Sequence, residues 1–226
     1  YITSVVRQLH SGKEATLYLT DSPSGLVAAK VYADRSVRAF KIDDVYLAGR
    51  YFSRARKKKA ARTAAATRLS IDEQLWIEQE YLYLQQLFKA GLRVPEPIAH
   101  EGAVILMEYL GDENNSAPRL ADAELSDAEA EVALTQSFDH VVKMLTLNKV
   151  HGDYSAYNLL WWQQEVVVID LPQMVDIKEN RFAFELLKRD LDSLARSFQS
   201  LNLDISAEAL HQRLRQRLDL KALFRQ

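Results

Sequence analysis

Short runs of β-prone residues open the chain and give way to longer helical periods. Residues 2–9 (ITSVVRQL) and 15–20 (ATLYLT) are two such runs, and residues 26–33 (LVAAKVYA) are a third, with one Lys in an apolar stretch. Asp21-Ser22-Pro23-Ser24-Gly25 is turn chemistry, so the three predict an antiparallel meander. A helix is predicted over about 72–90. Leu75, Trp76, Gln79, Leu82, Tyr83 and Leu87 recur near helical spacing, Asp72 stands as N-cap, and Gly91 sits where a C′ glycine belongs. Val94-Pro95-Glu96-Pro97 reads as an extended connector, residues 103–109 (AVILMEY) as a buried strand, and Gly111 as its release. Residues 127–147 read as helix. LLWW (159–162) and VVVID (166–170), joined by a Gln163-Gln164-Glu165 turn, read as a β-hairpin, and helices over about 181–200 and 206–218 close the chain. The pattern predicts an α+β chain: an antiparallel sheet lobe with one main helix over 1–109, then a mostly helical lobe over 112–226.

Composition narrows the classes. With 226 residues, 48% hydrophobic and 27% charged, the chain has enough apolar material for a core, and wholesale disorder is excluded. The length suits one domain, 1–226, built of two small lobes sharing a cleft. A net charge of −2 excludes bulk polycation behaviour. The absence of Cys excludes a disulfide scaffold, thiolate zinc, iron–sulfur ligation and a cysteine nucleophile; it fits a reducing compartment, and a cytoplasmic location is expected. No apolar run approaches the ~18 residues that span a bilayer, and no signal peptide opens the chain. Tyr1 in place of an initiator Met predicts a natural start further upstream.

Charge is unevenly spread. Residues 34–71 change character: from Arg50 to Ile71 there are eight basic residues and no acidic one, and Ala60–Ala66 adds helix propensity with little to bury. The expectation is a mobile or marginally helical basic insertion. Its partners would be nucleic-acid phosphates, an acidic protein, or the 112–131 segment, which carries seven acids against Arg119 alone.

The most informative stretch is His151-Gly152-Asp153-Tyr154-Ser155-Ala156-Tyr157-Asn158, followed by Asp170. Asp153 and Asn158 lie on a loop before one strand of the hairpin, and Asp170 ends its partner, so the three oxygen-bearing side chains are predicted to converge. Asn and Asp oxygens suit a hard divalent cation such as Mg²⁺, which takes phosphates and waters for its remaining positions. Asp153 is then left to accept a proton from an attacking hydroxyl. Lys30 in its apolar strand is costly unless it snorkels to water or is paired with a carboxylate. Glu78 and Glu80 are the candidates, and a core face through Trp76, Leu84 and Leu87 turns Glu80 inward. Ser11-Gly12-Lys13-Glu14 is a small turn whose backbone N–H groups suit phosphate oxygens. Residues 107–110 (Met-Glu-Tyr-Leu) end a buried strand at the lobe junction, where extended backbone suits an adenine edge.

Taken together these residues resemble the RIO family of atypical kinases, from about Ser11 to Phe198. SGKEA (11–15) is similar to the family's reduced phosphate loop S-T-G-K-E-A without its Thr; Lys30 in AAKVY matches the phosphate-contacting lysine. WIEQEYLYL (76–84) resembles W-A-E-K-E-x-x-x-L and nominates Glu80 as the partner of Lys30. HGDYSAYN resembles H-A/G-D-L-S-x-Y-N, which implies a catalytic role for Asp153 and a metal role for Asn158. IDLPQMV (169–175) resembles I-D-F/V-P/S-Q-x-V, which implies that Asp170 is a second metal ligand and the site of an aspartyl-phosphate intermediate. Glu108 and Leu110 occupy the family's hinge positions, and LLKRDLDSLARSF (186–198) is similar to its L-x-R-D-x-x-N-x-x-x-F helix.

The resemblance implies a bilobal protein-kinase-like fold of RIO type with no activation segment or peptide-docking subdomain. It implies ATP with Mg²⁺ (or Mn²⁺) as cofactors, and a protein, or the chain itself, as phosphoryl acceptor. ATPase turnover and a ribosomal or RNA contact through the basic stretch 50–68 are further expectations. Two other readings stand beside it: a small-molecule phosphotransferase of aminoglycoside or sugar kinase type, and a nucleotide-gated switch in ribosome or complex assembly.

Overall fold

The computed structural model describes residues 1–12, 14–32, 54–67 and 69–224, so Lys13 and the first part of the expected insertion lie outside the described residues. The described residues form two compact units. The first holds those of Tyr1–Ile42, Tyr51–Lys89 and Pro95–Ser116, the second those of Ala90–Val94 and Ala117–Gln226.

In the first unit, β1 (Ser4–Ser11), β2 (Ala15–Ser22), β3 (Gly25–Tyr32), β4 (Pro97–Glu101) and β5 (Val104–Glu108) make one sheet in the order β1-β2-β3-β5-β4. Every neighbouring pair is antiparallel. The expected meander is present. The β2–β3 register closes on Ser22↔Gly25, which leaves Pro23-Ser24 as a two-residue loop. Sequence pattern missed β4, because the expected connector at 94–97 already ends in it. Pro97 takes the first position of an edge strand, where its lack of an N–H breaks no interior ladder.

Two helices accompany this sheet, α1 (Arg54–Thr67) and α2 (Ile71–Lys89). The first lies in the stretch expected to be mobile or marginally helical, and residues 54–67 of it form a 14-residue helix. The start of α2 is corrected. Ser70, not Asp72, caps it, since Glu73 N donates to Ser70 Oγ (3.2 Å) and Ser70 N donates to Glu73 Oε2 (2.7 Å). That reciprocal pair is the S-x-x-E capping box, and it leaves Asp72 inside the first turn, beside the positive end of the helix. Gly91 adopts φ +74° after the last turn, as expected of a C′ glycine.

The second unit is built on α3 (Asp127–Thr146), α4 (Ala183–Gln199), α5 (Ala207–Arg217) and the short α6 (Leu220–Leu223). Between α3 and α4 lie β6 (Lys149–Val150), β7 (Leu159–Trp162), β8 (Glu165–Val168) and β9 (Val175–Asp176). Glu165 belongs to β8, so the hairpin loop is Gln163-Gln164 alone. Val166, Val167 and Val168 are all fully buried, so both faces of β8 are covered. Phe138, Leu145, Leu187, Leu194 and Phe198 complete the core around them. Among the described residues no helix is long and apolar enough to cross a membrane.

Candidate active site

The first unit supplies a buried cation with a fixed partner. Strand alternation puts Ala28, Lys30 and Tyr32 on one face of β3. Tyr32 meets Trp76 of α2 edge-on, with ring centroids 5.8 Å apart. One helical turn beyond Trp76 stands Glu80, and its Oε1 receives Lys30 Nζ at 2.7 Å. A two-residue step on the strand is thus matched to a four-residue step on the helix. The ammonium also lies 5.3 Å from the Tyr32 ring centroid. Glu78 points elsewhere, toward α1, as the angular separation of i and i+2 requires. Gly12 closes the β1–β2 turn with its N–H on Ala15 O (3.0 Å), and a Cβ there would approach that oxygen to 3.2 Å. Ser11 ends β1, paired with Thr16. Glu108 ends β5; its N–H donates to Glu96 O, and its carboxylate accepts Glu96 N at 3.1 Å. Leu110 is buried just beyond.

The second unit supplies the carboxylates. The β7–β8 ladder runs past its last strand pair, Leu159↔Val168, to a bond from Ile169 N to Asn158 O (3.0 Å). The hairpin therefore brings the backbone of Asn158 to within one residue of Asp170. Asn158 Nδ2 donates to both the backbone O (2.8 Å) and Oδ2 (2.9 Å) of Asp153. With the amide nitrogen so engaged, the Asn158 carbonyl oxygen is the atom left to meet a cation. Asp170 is exposed and holds φ +62°, a left-handed conformation that Asp tolerates better than most residues. Among the described residues no group of three or more His, Cys, Asp or Glu surrounds a point. One amide oxygen and carboxylates suit an open Mg²⁺ site completed by phosphates and water, and do not suit a closed protein cage.

The loop carrying Asp153 is clamped from beneath. Gly152 N and Tyr154 N each donate at 2.9 Å to the two oxygens of Asp190 on α4, flanking Asp153 on both sides. Gly152 sits at φ +86°, where a side chain would be strained. The Tyr154 hydroxyl donates to Ser137 O on α3, and Ala156 N donates to Ser197 Oγ on α4. Asp153 N donates to Nδ1 of the buried His151, which places the ring proton on Nε2, 3.2 Å from Ile169 O. His151 thus ties the Asp153 loop to the residue before Asp170. Burial holds the His151 pKa below its ordinary value, against the Ile169 hydrogen bond and the charges of Asp170 and Asp153. Burial likewise pushes the Asp190 carboxyl up to about 7; the two amide donors and Arg189 pull it down, and the Asp153 charge adds to the rise.

Reading the sequence for chemistry missed the anchoring by Asp190 and the bridge through His151. A signal for Asp190 was present. It sits at i+4, i+3 and i−4 from Leu186, Leu187 and Leu194, so it is an acid on an apolar helix face, which calls for a buried partner.

The chain belongs to the RIO family: the family model described as the RIO domain matches residues 18–210. It is 30% identical over 202 residues to the serine/threonine-protein kinase rio1 of Schizosaccharomyces pombe, covering 86% of this chain and 38% of that protein. It is 31% identical over 137 residues to the RIO-type serine/threonine-protein kinase Rio1 of Haloferax volcanii, covering 61% of this chain and 46% of that one. For the protein of the same name from Thermoplasma acidophilum the identity is 29% over 143 residues, with 63% and 74% covered. The chain thus spans less than half the length of some of the curated relatives it matches.

Proposed function

We propose that this chain is an ATP-dependent protein kinase of RIO type that transfers the γ-phosphoryl group of ATP to a serine or threonine hydroxyl, its own chain included. The observation that carries the reading is the clamped loop. Asp153 is held by Asn158 above and flanked by two amides anchored on Asp190. A carboxylate so fixed suits a base that accepts the hydroxyl proton as the attack begins. The acceptor oxygen forms its bond to the γ-phosphorus while the bond to the β,γ-bridging oxygen breaks. The proton passes to Asp153 and ADP leaves.

In this reading Lys30, oriented by Glu80, contacts nucleotide phosphates, and Ser11, Gly12 and Lys13 form the loop over them. The backbone at Glu108 and Leu110 meets the adenine. Asn158 and Asp170 would hold Mg²⁺, which would neutralise charge on the phosphate oxygens. When the Asp170 carboxylate is the acceptor, ADP leaves and an aspartyl phosphate forms, and its hydrolysis by water to inorganic phosphate restores Asp170 and completes ATPase turnover; water as the direct acceptor gives ADP and phosphate in one step. Only residues 171–182 separate Asp170 from α4. So short a run supports an acceptor presented on its own folded surface, since it offers no long shelf for an extended peptide.

The test is single-turnover phosphoryl transfer from labelled ATP. Asp153→Ala is expected to slow the chemical step by roughly 10²–10⁴-fold, the usual worth of a positioned base, with nucleotide affinity nearly unchanged. A variant as fast as the wild type would remove Asp153 from the role.

A further inference from the structure

Among the described residues β1 is an edge of the five-stranded sheet, paired with β2 alone. Its register on β2 shifts between Val5 and Arg7 and again between Gln8 and His10, and most of its side chains are exposed. A bulged edge strand with one ladder and little burial opens more readily than the strands inside a sheet. Yet β1 ends at Ser11, and Gly12 follows, the residues proposed to lie over the nucleotide phosphates. The position of that loop therefore depends on what else holds β1.

Arg7 supplies a second tie. It stands opposite Leu19 on β2, and Leu19 stands opposite Ala28 on β3, so Arg7 shares the sheet face of Ala28 and Lys30. From that face Arg7 Nη2 donates to the backbone O of Asn114 at 2.9 Å, a charge-assisted bond across 107 residues of sequence. The guanidinium also stands beside the Tyr109 hydroxyl; burial raises that pKa and Arg7 draws it back.

Asn114 belongs to a hook of chain that follows Glu108 and Leu110 directly. Gly111 and Ser116 form an antiparallel bridge, and Asp112 N donates to Asn115 O at 2.9 Å. The Asp112 carboxylate accepts Asn114 N (2.8 Å) and Asn115 N (2.7 Å), and the Tyr109 hydroxyl donates to Asp112 O (3.1 Å). The base of the hook admits no side chain: Gly111 holds φ +150°, and a Cβ there would lie 2.5 Å from Asn115 O. Strands β2 and β3 separate β1 from β5, so the chain that leaves β5 comes back on the Lys30 face to reach Arg7.

We propose that Arg7 is a positioning residue for the nucleotide: it ties the edge strand that carries Ser11 and Gly12 to the hook beyond Leu110, and so sets the rate at which nucleotide leaves. This deepens the kinase reading above and rests on it. Arg7 precedes Ser11 by four residues, roughly 13 Å at the usual strand rise, so the tie acts on the loop through the strand. When the tie opens, β1 and its loop lift together, and release follows.

The experiment follows a fluorescent ADP analogue with Mg²⁺ by stopped flow. Arg7→Ala should raise the dissociation rate about tenfold and change the association rate by less than about twofold, since loosening a site acts chiefly on release. Arg7→Lys keeps a cationic donor without the planar fork and should recover part of the effect. Asp112→Ala loosens the hook and leaves Arg7 in place. It should speed release as well, and the double variant should release no faster than the faster single one, because both remove one tie. Single-turnover transfer at saturating ATP should stay within about twofold of wild type in Arg7→Ala, a split that a general loss of structure would not give. In the nucleotide-free protein, amide exchange from Gln8 to Ser11 should rise in Arg7→Ala while that of α3 stays as in the wild type.

Release from Arg7→Ala as slow as from the wild type would overturn the proposal. A change confined to the association rate would do the same, since it would make Arg7 a source of electrostatic attraction instead of a tie. Additive effects of Arg7→Ala and Asp112→Ala would separate the arginine from the hook and reject the tie. A wild type that binds no analogue, with β1 amides still loosened in Arg7→Ala, would overturn the kinase reading and the nucleotide role together, and would leave the tie as a contact of the fold.

Discussion

Asp190 occupies a core position, 3% exposed, yet it is the hydrogen-bond acceptor for two backbone amides on either side of Asp153. In the proposed reaction its part is positional, since its hydrogen bonds go to the loop backbone. Asp190→Ala leaves two buried N–H groups unpaired, at about 1–3 kcal/mol each, so a loss of about 2–6 kcal/mol in denaturant unfolding is expected. Asp190→Asn keeps the shape and one acceptor, but turns an NH₂ toward the other amide. It should recover part of the stability, while phosphoryl transfer stays depressed through a slower chemical step at unchanged nucleotide affinity. A merely structural role would instead return activity in proportion to the folded fraction. The ion pair Lys30–Glu80 was legible because an ammonium inside an apolar strand demands an acid. Asp190 obeys the same logic on a helix face, but it is satisfied by backbone amides, which leave no complementary side chain in the sequence to point back at it.

Elements were legible where their period was long and unbroken. The periodicity of α2 and α3 gave both helices, and the alternation of apolar runs and turn residues gave the meander and the β7–β8 hairpin. Ends and short pieces were not. Ser70 outranks Asp72 as N-cap because Glu73 stands three residues on and closes the capping box, a pairing that a lone Asp does not have. Strands β6 and β9 are two residues long, and are held by the Lys149–Asp176 ion pair and by tertiary placement, which no local pattern announces. The α1 helix has strong propensity but almost nothing to bury, so the sequence pattern left its helicity open. The hairpin loop carries its own test. Gln163 and Gln164 both take left-handed φ, at 52° and 63°, where two-residue loops favour Asn and Gly. Gln164→Gly relieves a conformational penalty of about 1 kcal/mol, and the Gln164 carbonyl that accepts Gln136 Nε2 is kept. A gain of about that size in unfolding free energy, with the chemical step unchanged, is the expected outcome.

Over the molecule as a whole, the buried titrating groups set a pH dependence with two opposing parts. Burial lowers the pKa of His100, His140, His151 and His211, and His140 falls to about 4 with its Nδ1 buried and without a hydrogen-bond partner among the described residues. A histidine with a depressed folded pKa binds its proton more readily when unfolded. Its contribution to stability is present above about 6.5 and is lost as pH falls toward the folded value. Asp190 works the other way. With a folded pKa near 7 against an ordinary value of 3.8, it binds more proton in the folded state across that window, so its contribution falls as pH rises from about 4 to about 7. Between those limits the aspartate offsets part of the acid sensitivity of the histidines. Removing its titration with Asp190→Asn should therefore steepen the rise of stability with pH between about 4 and 7, even though the variant is less stable throughout. His140→Leu should flatten the same profile. Unfolding free energies at closely spaced pH values test both. Parallel profiles for wild type and Asp190→Asn would mean that Asp190 titrates alike in the folded and unfolded chains, and would remove the electrostatic cost that burial imposes on the loop anchor.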